Sequence, residues 1–228
     1  MKKYTHLLFD ADHTIFDFDQ SQDNSLHLAF SDMGLKLTET FRQAYDRINK
    51  ACWIALEKGE INRAQLQERR ANQFQQVVGD GFDPYRFHDL YINHLSQQVD
   101  YLPRAKESMM ELSEHYTLAM ITNGLAPVQK PRLAKSGIEH LFDQITISGE
   151  INLAKPDAAF FDHTFRGLGN PDRSKALVIG DNLLADIYGG HQAGCDTCWI
   201  TTSNLKVEQN VKPTYQVSDW NEIRKLLL

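Results

Sequence analysis

The stretch HLLFDADHTIFD, residues 6–17, opens on an apolar run and closes in acids. His6-Leu7-Leu8-Phe9 suits the interior of a sheet. Asp10 and Asp12 follow at once, although charged side chains avoid a core unless they are paired or bound to a metal. Two readings are open here. Either the strand stops before Asp10 in an acidic turn, or the acids stand at its end for chemistry.

Other runs of strand length recur along the chain: LAMIT (118–122), QITIS (144–148), ALVIG (176–180), TCWIT (197–201) and, more weakly, YQV (215–217). They are nearly continuous in apolar residues rather than alternating, as parallel strands covered on both faces require. Helical patterns fall between them, at about 104–115, 127–136, 157–168, 183–193 and 219–227. The alternation predicts an α/β fold built on a doubly wound parallel sheet. From about Gln20 to Asp100 no strand pattern appears. Amphipathic stretches punctuated by Gly59, Gly79-Asp80-Gly81 and Pro84 predict a small helical bundle there. The expected organisation is a core of residues 1–18 and 101–228 carrying an inserted helical unit at 19–100.

With 228 residues, 42% hydrophobic and 24% charged, the chain is long enough for one large domain plus an insert. No apolar run approaches the roughly 20 residues that span a bilayer, and Met1-Lys2-Lys3 leads straight into the first strand. The chain is therefore expected to be cytoplasmic, with no membrane partner. A net charge of −6 argues against a nucleic-acid polymer as partner, which needs clustered Lys and Arg. It leaves room for a small anionic substrate if a cation or a lysine reverses the local field. Monomer and homodimer are both open. Cys52, Cys195 and Cys198 are few and odd in number, as in a reducing compartment. The C-x-x-C pair has no second pair for a metal site and runs into a strand, so the cysteines are read as structural.

In an open α/β sheet, ligands bind beyond the carboxyl ends of the strands. Asp10, Asp12 and Thr14 follow the first strand; Thr122, Asn123 and Gly124 follow LAMIT; Lys155 lies beyond QITIS, before Pro156; Asp181 and Asp186 follow ALVIG. Each has a bland reading by itself: a turn, a solvated lysine, a helix cap at Asp181. Four strand ends converging on acids, a lysine and small hydrogen-bonding groups weigh against chance.

DADHT, TNG, AKPD and GDNLLAD resemble, in order, the motifs of the haloacid dehalogenase-like hydrolases, and the resemblance covers nearly the whole chain, including a helical cap after the first motif. INKACW, GNPDRSKALVIGD and GGHQAGCDTCWI are similar to the bacterial pyrimidine 5′-nucleotidase branch of that superfamily. The resemblance implies that Asp10 is the nucleophile, forming an aspartyl-phosphate, and that Asp12 protonates the leaving alcohol and then deprotonates water. It implies Mg²⁺ held by the Asp10 and Asp181 carboxylates and the Asp12 main-chain carbonyl, with Asp186 orienting the metal-bound water or Lys155. Thr122, Asn123 and Lys155 would bind the phosphoryl oxygens, helped by backbone N–H groups near Asn123 and Gly124. A dehalogenase expels halide, which needs no proton, so Asp12 favours phosphoryl chemistry. In the insert, Asn49 and Trp53, one helical turn apart, are the candidates for contacting a nucleobase. His13 is expected to face away from the site. The expected activity is Mg²⁺-dependent hydrolysis of nucleoside 5′-monophosphates. A phosphatase for another small ester, such as phosphoglycolate or a sugar phosphate, and a non-catalytic regulatory module are the alternatives.

Overall fold

The computed structural model describes residues 3–201 and 212–228. The chain divides into two compact units, Met1–Asp19 with Val99–Leu228, and Gln20–Gln98.

The first unit is built on a six-stranded sheet of β1 (His6–Phe9), β2 (Thr117–Thr122), β3 (Gln144–Ile147), β4 (Ala176–Gly180), β5 (Asp196–Ile200) and β6 (Tyr215–Val217). The order is β3-β2-β1-β4-β5-β6 and every pairing is parallel. The chain runs outward from β1 on one side, returns, and runs outward again from β4. The order therefore reverses between β1 and β4, where an open α/β sheet leaves a crevice for ligands.

The apolar runs are explained by cover on both faces. Leu7, Phe9, Leu118, Met120, Leu177 and Ile179 face one side, where they join α5 (Ala105–Ser113) and α10 (Trp220–Leu227) through Met109, Leu112, Trp220 and Ile223. Their neighbours Leu8, Ala119, Ile121 and Val178 face the other side, against Phe160, Phe161 and Phe165 of α8 (Ala158–Gly167). Side chains alternate across a strand, so both sets must be apolar. Trp220 stacks on Phe9 at 5.5 Å and its Nε1 donates 2.8 Å to the Thr14 carbonyl, fastening α10 to the loop after β1. The C-x-x-C cysteines fall on opposite faces, Cys198 with the first cluster and Cys195 with the second. Both are free, buried thiols, and burial pushes each up to about 12. They fill space, as the sequence suggested.

The second unit carries the rest of α1 (Phe18–Asp32), then α2 (Glu39–Glu57), α3 (Arg63–Val78) and α4 (Pro84–Leu95). Each of the last three starts on a side-chain cap: Thr38 for α2, Asn62 in a reciprocal capping box with Gln65 for α3, and Asp83 followed by Pro84 for α4. Phe30, Tyr45, Phe74, Phe82, Phe87 and Tyr91 form its aromatic core, with Tyr45–Phe74 and Tyr45–Tyr91 ring centres both 5.0 Å apart.

The remaining helices of the first unit are α6 (Ala126–Ser136), α7 (Ser148–Ile151) and α9 (Gly189–Gln192). A π-helical turn, Leu183–Tyr188, precedes α9. Among the described residues no helix is long and apolar enough to cross a membrane.

Candidate active site

β1 ends at Phe9, and Asp10 still donates its N–H to the Ile179 carbonyl at 2.9 Å, so its side chain is carried into the crevice by the last rung of the ladder. The chain then folds tightly. His13 takes a left-handed φ of 60°, and Ile15 and Phe16 both donate back to the Ala11 carbonyl. The His13 ring packs edge-on against Phe18 at 5.5 Å. Leaving the loop, Asp17 donates to the Asp100 carbonyl and Leu102 donates to Ile15, which pins residues 15–17 to 100–102.

Lys155 stands at the centre of the site and is 2% exposed. Its Nζ donates to Asp10 Oδ1 at 2.6 Å, Asp186 Oδ1 at 2.7 Å and the Ile121 carbonyl at 2.8 Å. An ammonium has three protons, so all are engaged. Burial by itself would lower the Lys155 pKa, but the Asp10 and Asp186 carboxylates override it and raise it. Lys155 reaches this position because Asn123 clamps its backbone. Asn123 Oδ1 accepts the Lys155 N–H and Nδ2 donates to the Lys155 carbonyl, both at 2.9 Å.

Carboxylate oxygens of Asp10, Asp181 and Asp186 lie within 4.8 Å of one another. Three acids against one lysine leave negative charge in a buried place. Burial pushes the Asp10 carboxyl well above the usual range; Lys155 opposes this, and the charges of Asp186 and Asp181 add to it. Asp181 is driven up to about 8 by burial, then by Asp186, against Lys155. Hard oxygen donors crowded together, with their charge uncompensated, suit a divalent cation such as Mg²⁺.

Asp186 reaches the cluster because of its neighbours. Its Oδ2 accepts the Asn182 N–H at 3.0 Å, and the side chain crosses Gly180, where a Cβ would stand 2.2 Å from that oxygen. The π turn admits the five-residue spacing of Asp181 and Asp186, with Ile187 donating to the Asn182 carbonyl at 3.2 Å. The cap of this turn is Asn182, whose Oδ1 accepts from Leu184 and Ala185. The helix cap that Asp181 could have been by itself is supplied by the amide next to it, and the Asp181 carboxylate is spared.

The other sequence candidates divide. Thr122 Oγ1 accepts the Gly124 N–H at 3.0 Å, which leaves the hydroxyl proton to donate. That Gly124 N–H is thereby engaged by Thr122, and the helix that follows starts only at Ala126. The Asn123 side chain, expected on phosphoryl oxygens, bonds the main chain of Lys155 instead. Asn49 is 3% exposed, and its Nδ2 donates to Gln22 Oε1 at 2.8 Å while its Oδ1 accepts from Arg70 at 2.8 Å. It is a brace inside the helical unit, where the sequence suggested a ligand contact. Trp53, its neighbour one turn on, is half-buried.

Two residues of the site escaped the sequence reading. Asp12 Oδ1 accepts from Arg132 Nη1, and Asp12 Oδ2 accepts from Gln129 Nε2 at 2.7 Å. Both donors lie on α6, three residues apart on one face. The available signal was this i, i+3 pair of long polar side chains on the helix that follows TNG.

A family profile described as Haloacid dehalogenase-like hydrolase matches residues 7–200. The chain belongs to the haloacid dehalogenase-like hydrolases. Among its relatives in this hydrolase family is the pyrimidine 5′-nucleotidase YjjG of Escherichia coli, 32% identical, the match covering 99% of this chain and 98% of that protein. The pyrimidine 5′-nucleotidase PynA of Streptococcus pneumoniae is 34% identical, with 96% and 93% covered. A solved structure described as the putative HAD-hydrolase YfnB of Bacillus subtilis, bound to magnesium and revealing interdomain movement, matches at a TM-score of 0.93 with 30% identity and 99% of each chain covered. Dehalogenase structures at 16% identity share the fold alone. This member of the family is a phosphatase, and its buried acidic cluster is of the kind that holds a metal ion.

Proposed function

We propose that this phosphatase is a Mg²⁺-dependent enzyme that hydrolyses nucleoside 5′-monophosphates, with pyrimidine nucleotides as its class. The observation that carries the reading is the Asp10–Lys155–Asp186 constellation, with Asp181 beside it, at the point where the strand order reverses. The full-length likeness to two pyrimidine 5′-nucleotidases supports the substrate class.

In this reading the Asp10 carboxylate attacks phosphorus, forming an aspartyl-phosphate as the ester oxygen leaves. Asp12 gives that oxygen its proton, so a neutral alcohol departs, and then takes a proton from the water that attacks the acyl phosphate. Lys155 releases one of its three acceptors to a phosphoryl oxygen, and the Thr122 hydroxyl donates to another. Asn123 and Asp186 keep Lys155 in place. The Asp10 and Asp181 carboxylates, with the Asp12 carbonyl, would hold Mg²⁺, which supplies the charge neutralisation that lets a phosphate approach these acids. The helical unit is assigned the part of a cap that selects the substrate, with Trp53 as its candidate contact.

The test is a panel of dUMP, dTMP, UMP, phosphoglycolate and sugar phosphates, with phosphate release measured with Mg²⁺ and with EDTA. The reading expects nucleotides to be turned over fastest and EDTA to abolish release. Faster turnover of sugar phosphates, or release indifferent to EDTA, contradicts it.

A further inference from the structure

We infer that Arg132 and Gln129 are positioning residues for Asp12, holding its two carboxylate oxygens from consecutive turns of α6 so that it can pass a proton to and from the reacting oxygens. The inference rests on the phosphatase reading above and adds residues that the motifs do not contain.

Arg132 is 0% exposed and lies over the Phe16 ring, 5.3 Å from its centre. One of its nitrogens meets Asp12. Its Nε and Nη2 find no partner among the described residues, and neither does Gln129 Oε1, although all three atoms are buried. A buried polar atom left unpaired costs about 1–3 kcal/mol, and a buried ion pair is weak support for a fold. An apolar side chain of the same volume would serve packing better. Stability does not explain this arrangement, whereas a fixed carboxylate does.

The geometry is suited to that purpose. The Asp12 side chain is 25% exposed and that of Arg132 is not exposed at all, so one side of the carboxylate is anchored and the other is open. One donor on each oxygen leaves each a further lone pair. In the first step the proton of the Asp12 carboxyl moves to the ester oxygen as its bond to phosphorus breaks. In the second, Asp12 takes a proton from water as the water oxygen bonds to phosphorus and the Asp10–phosphorus bond breaks. Both transfers need the same oxygen within hydrogen-bond reach, and a misplacement of about 1 Å can cost on the order of a hundredfold in rate.

The experiment compares Arg132→Met, Gln129→Met and Arg132→Lys with wild type on UMP and on p-nitrophenyl phosphate, with thermal midpoints measured alongside. Nitrophenolate departs without help from an acid, whereas the ribose oxygen does not. With UMP, kcat of Arg132→Met should fall by about 30-fold or more with KM changed little. With p-nitrophenyl phosphate, formation of the aspartyl-phosphate should persist while its hydrolysis slows, so that a burst of nitrophenolate stoichiometric with enzyme appears. Gln129→Met should show the same pattern more weakly, and Arg132→Lys should recover part of the UMP rate. Equal fractional losses on both substrates with no burst, or unchanged kcat on UMP, overturn the inference. If Arg132→Met does not fold, Gln129→Met and Arg132→Lys carry the same readouts. Wild type that releases phosphate from neither substrate overturns the phosphatase reading and this inference with it, an outcome distinct from active wild type with unselective variants.

Discussion

Two buried cations, Lys155 in the first unit and Arg70 in the second, are held in opposite ways. Lys155 sits among carboxylates that outnumber it: it bonds Asp10 and Asp186, and Asp181 lies beside them. Arg70, 3% exposed in the helical unit, makes no ion pair among the described residues. Its Nη1 donates to Asn49 Oδ1 at 2.8 Å, its Nη2 lies 3.3 Å from His88 Nδ1, and its guanidinium faces the Tyr45 and Tyr91 rings at 5.9 and 5.6 Å. A cation satisfied by neutral groups and ring faces is a closed structural unit. A cation outnumbered by acids is an open one that calls for a further positive charge. This excess, more than burial itself, separates the reactive place from the inert one.

The contrast can be broken in several ways. The largest expected effect is on turnover. Asp10→Asn should reduce phosphate release from every ester by about 10⁴-fold or more. It also removes one of the mutually repelling acids, so the thermal midpoint in EDTA should hold or rise; a cooperative fold lost in this variant would show that the acid cluster is structural. Next, Lys155→Met should lower unfolding free energy by about 3–5 kcal/mol in urea titrations in EDTA, because it leaves buried carboxylates without their cation. Arg70→Met should cost less, about 1–2 kcal/mol, since the partners it abandons are neutral. Equal losses in these two variants would erase the distinction between the units.

Two smaller effects follow. Mg²⁺ at a hundred times its dissociation constant should stabilise wild type by about 2.7 kcal/mol, and Asp181→Asn should lose most of that gain while Arg70→Met keeps it. The helical unit should also answer to acid through His88, whose pKa is lowered to about 4 by burial and then by the Arg70 charge. The unfolded chain binds that proton at a higher pH than the folded one, near the ordinary histidine value. Stability from the neutral ring is thus present above that value and is lost as pH falls toward 4. His88→Gln should flatten this part of the pH dependence in unfolding measurements between pH 7 and 4. An unchanged slope would place the acid sensitivity elsewhere.

Much of this was legible in the order of residues. The strand runs could be read because a strand covered on both faces has no choice but continuous apolar side chains, and Asp10, Lys155, Asp181 and Asp186 could be read because they stand where such runs end. Asn49 was misjudged because a polar residue on an amphipathic helix looks the same whether it meets a ligand or a buried arginine. Asn123 was assigned to phosphate because a short amide after a strand gives no sign that its partner is the main chain of a residue 32 positions on. For Asp181 a helix cap stood open as the alternative reading, and Asn182 fills that place.

By itself, then, the sequence determined the elements, the split into sheet and bundle segments, and the set of groups delivered to one edge. These follow from side-chain periodicity and strand ends, which are properties of neighbours along the chain. The tertiary structure alone decided that β1 lies between β2 and β4, that Lys155 spans Asp10 and Asp186, and that Arg132 and Gln129 close on Asp12. The partner of a buried charge is chosen by which distant segments packing brings within hydrogen-bond reach. Low dielectric then makes that choice count for far more there than at the surface, and no local pattern encodes it.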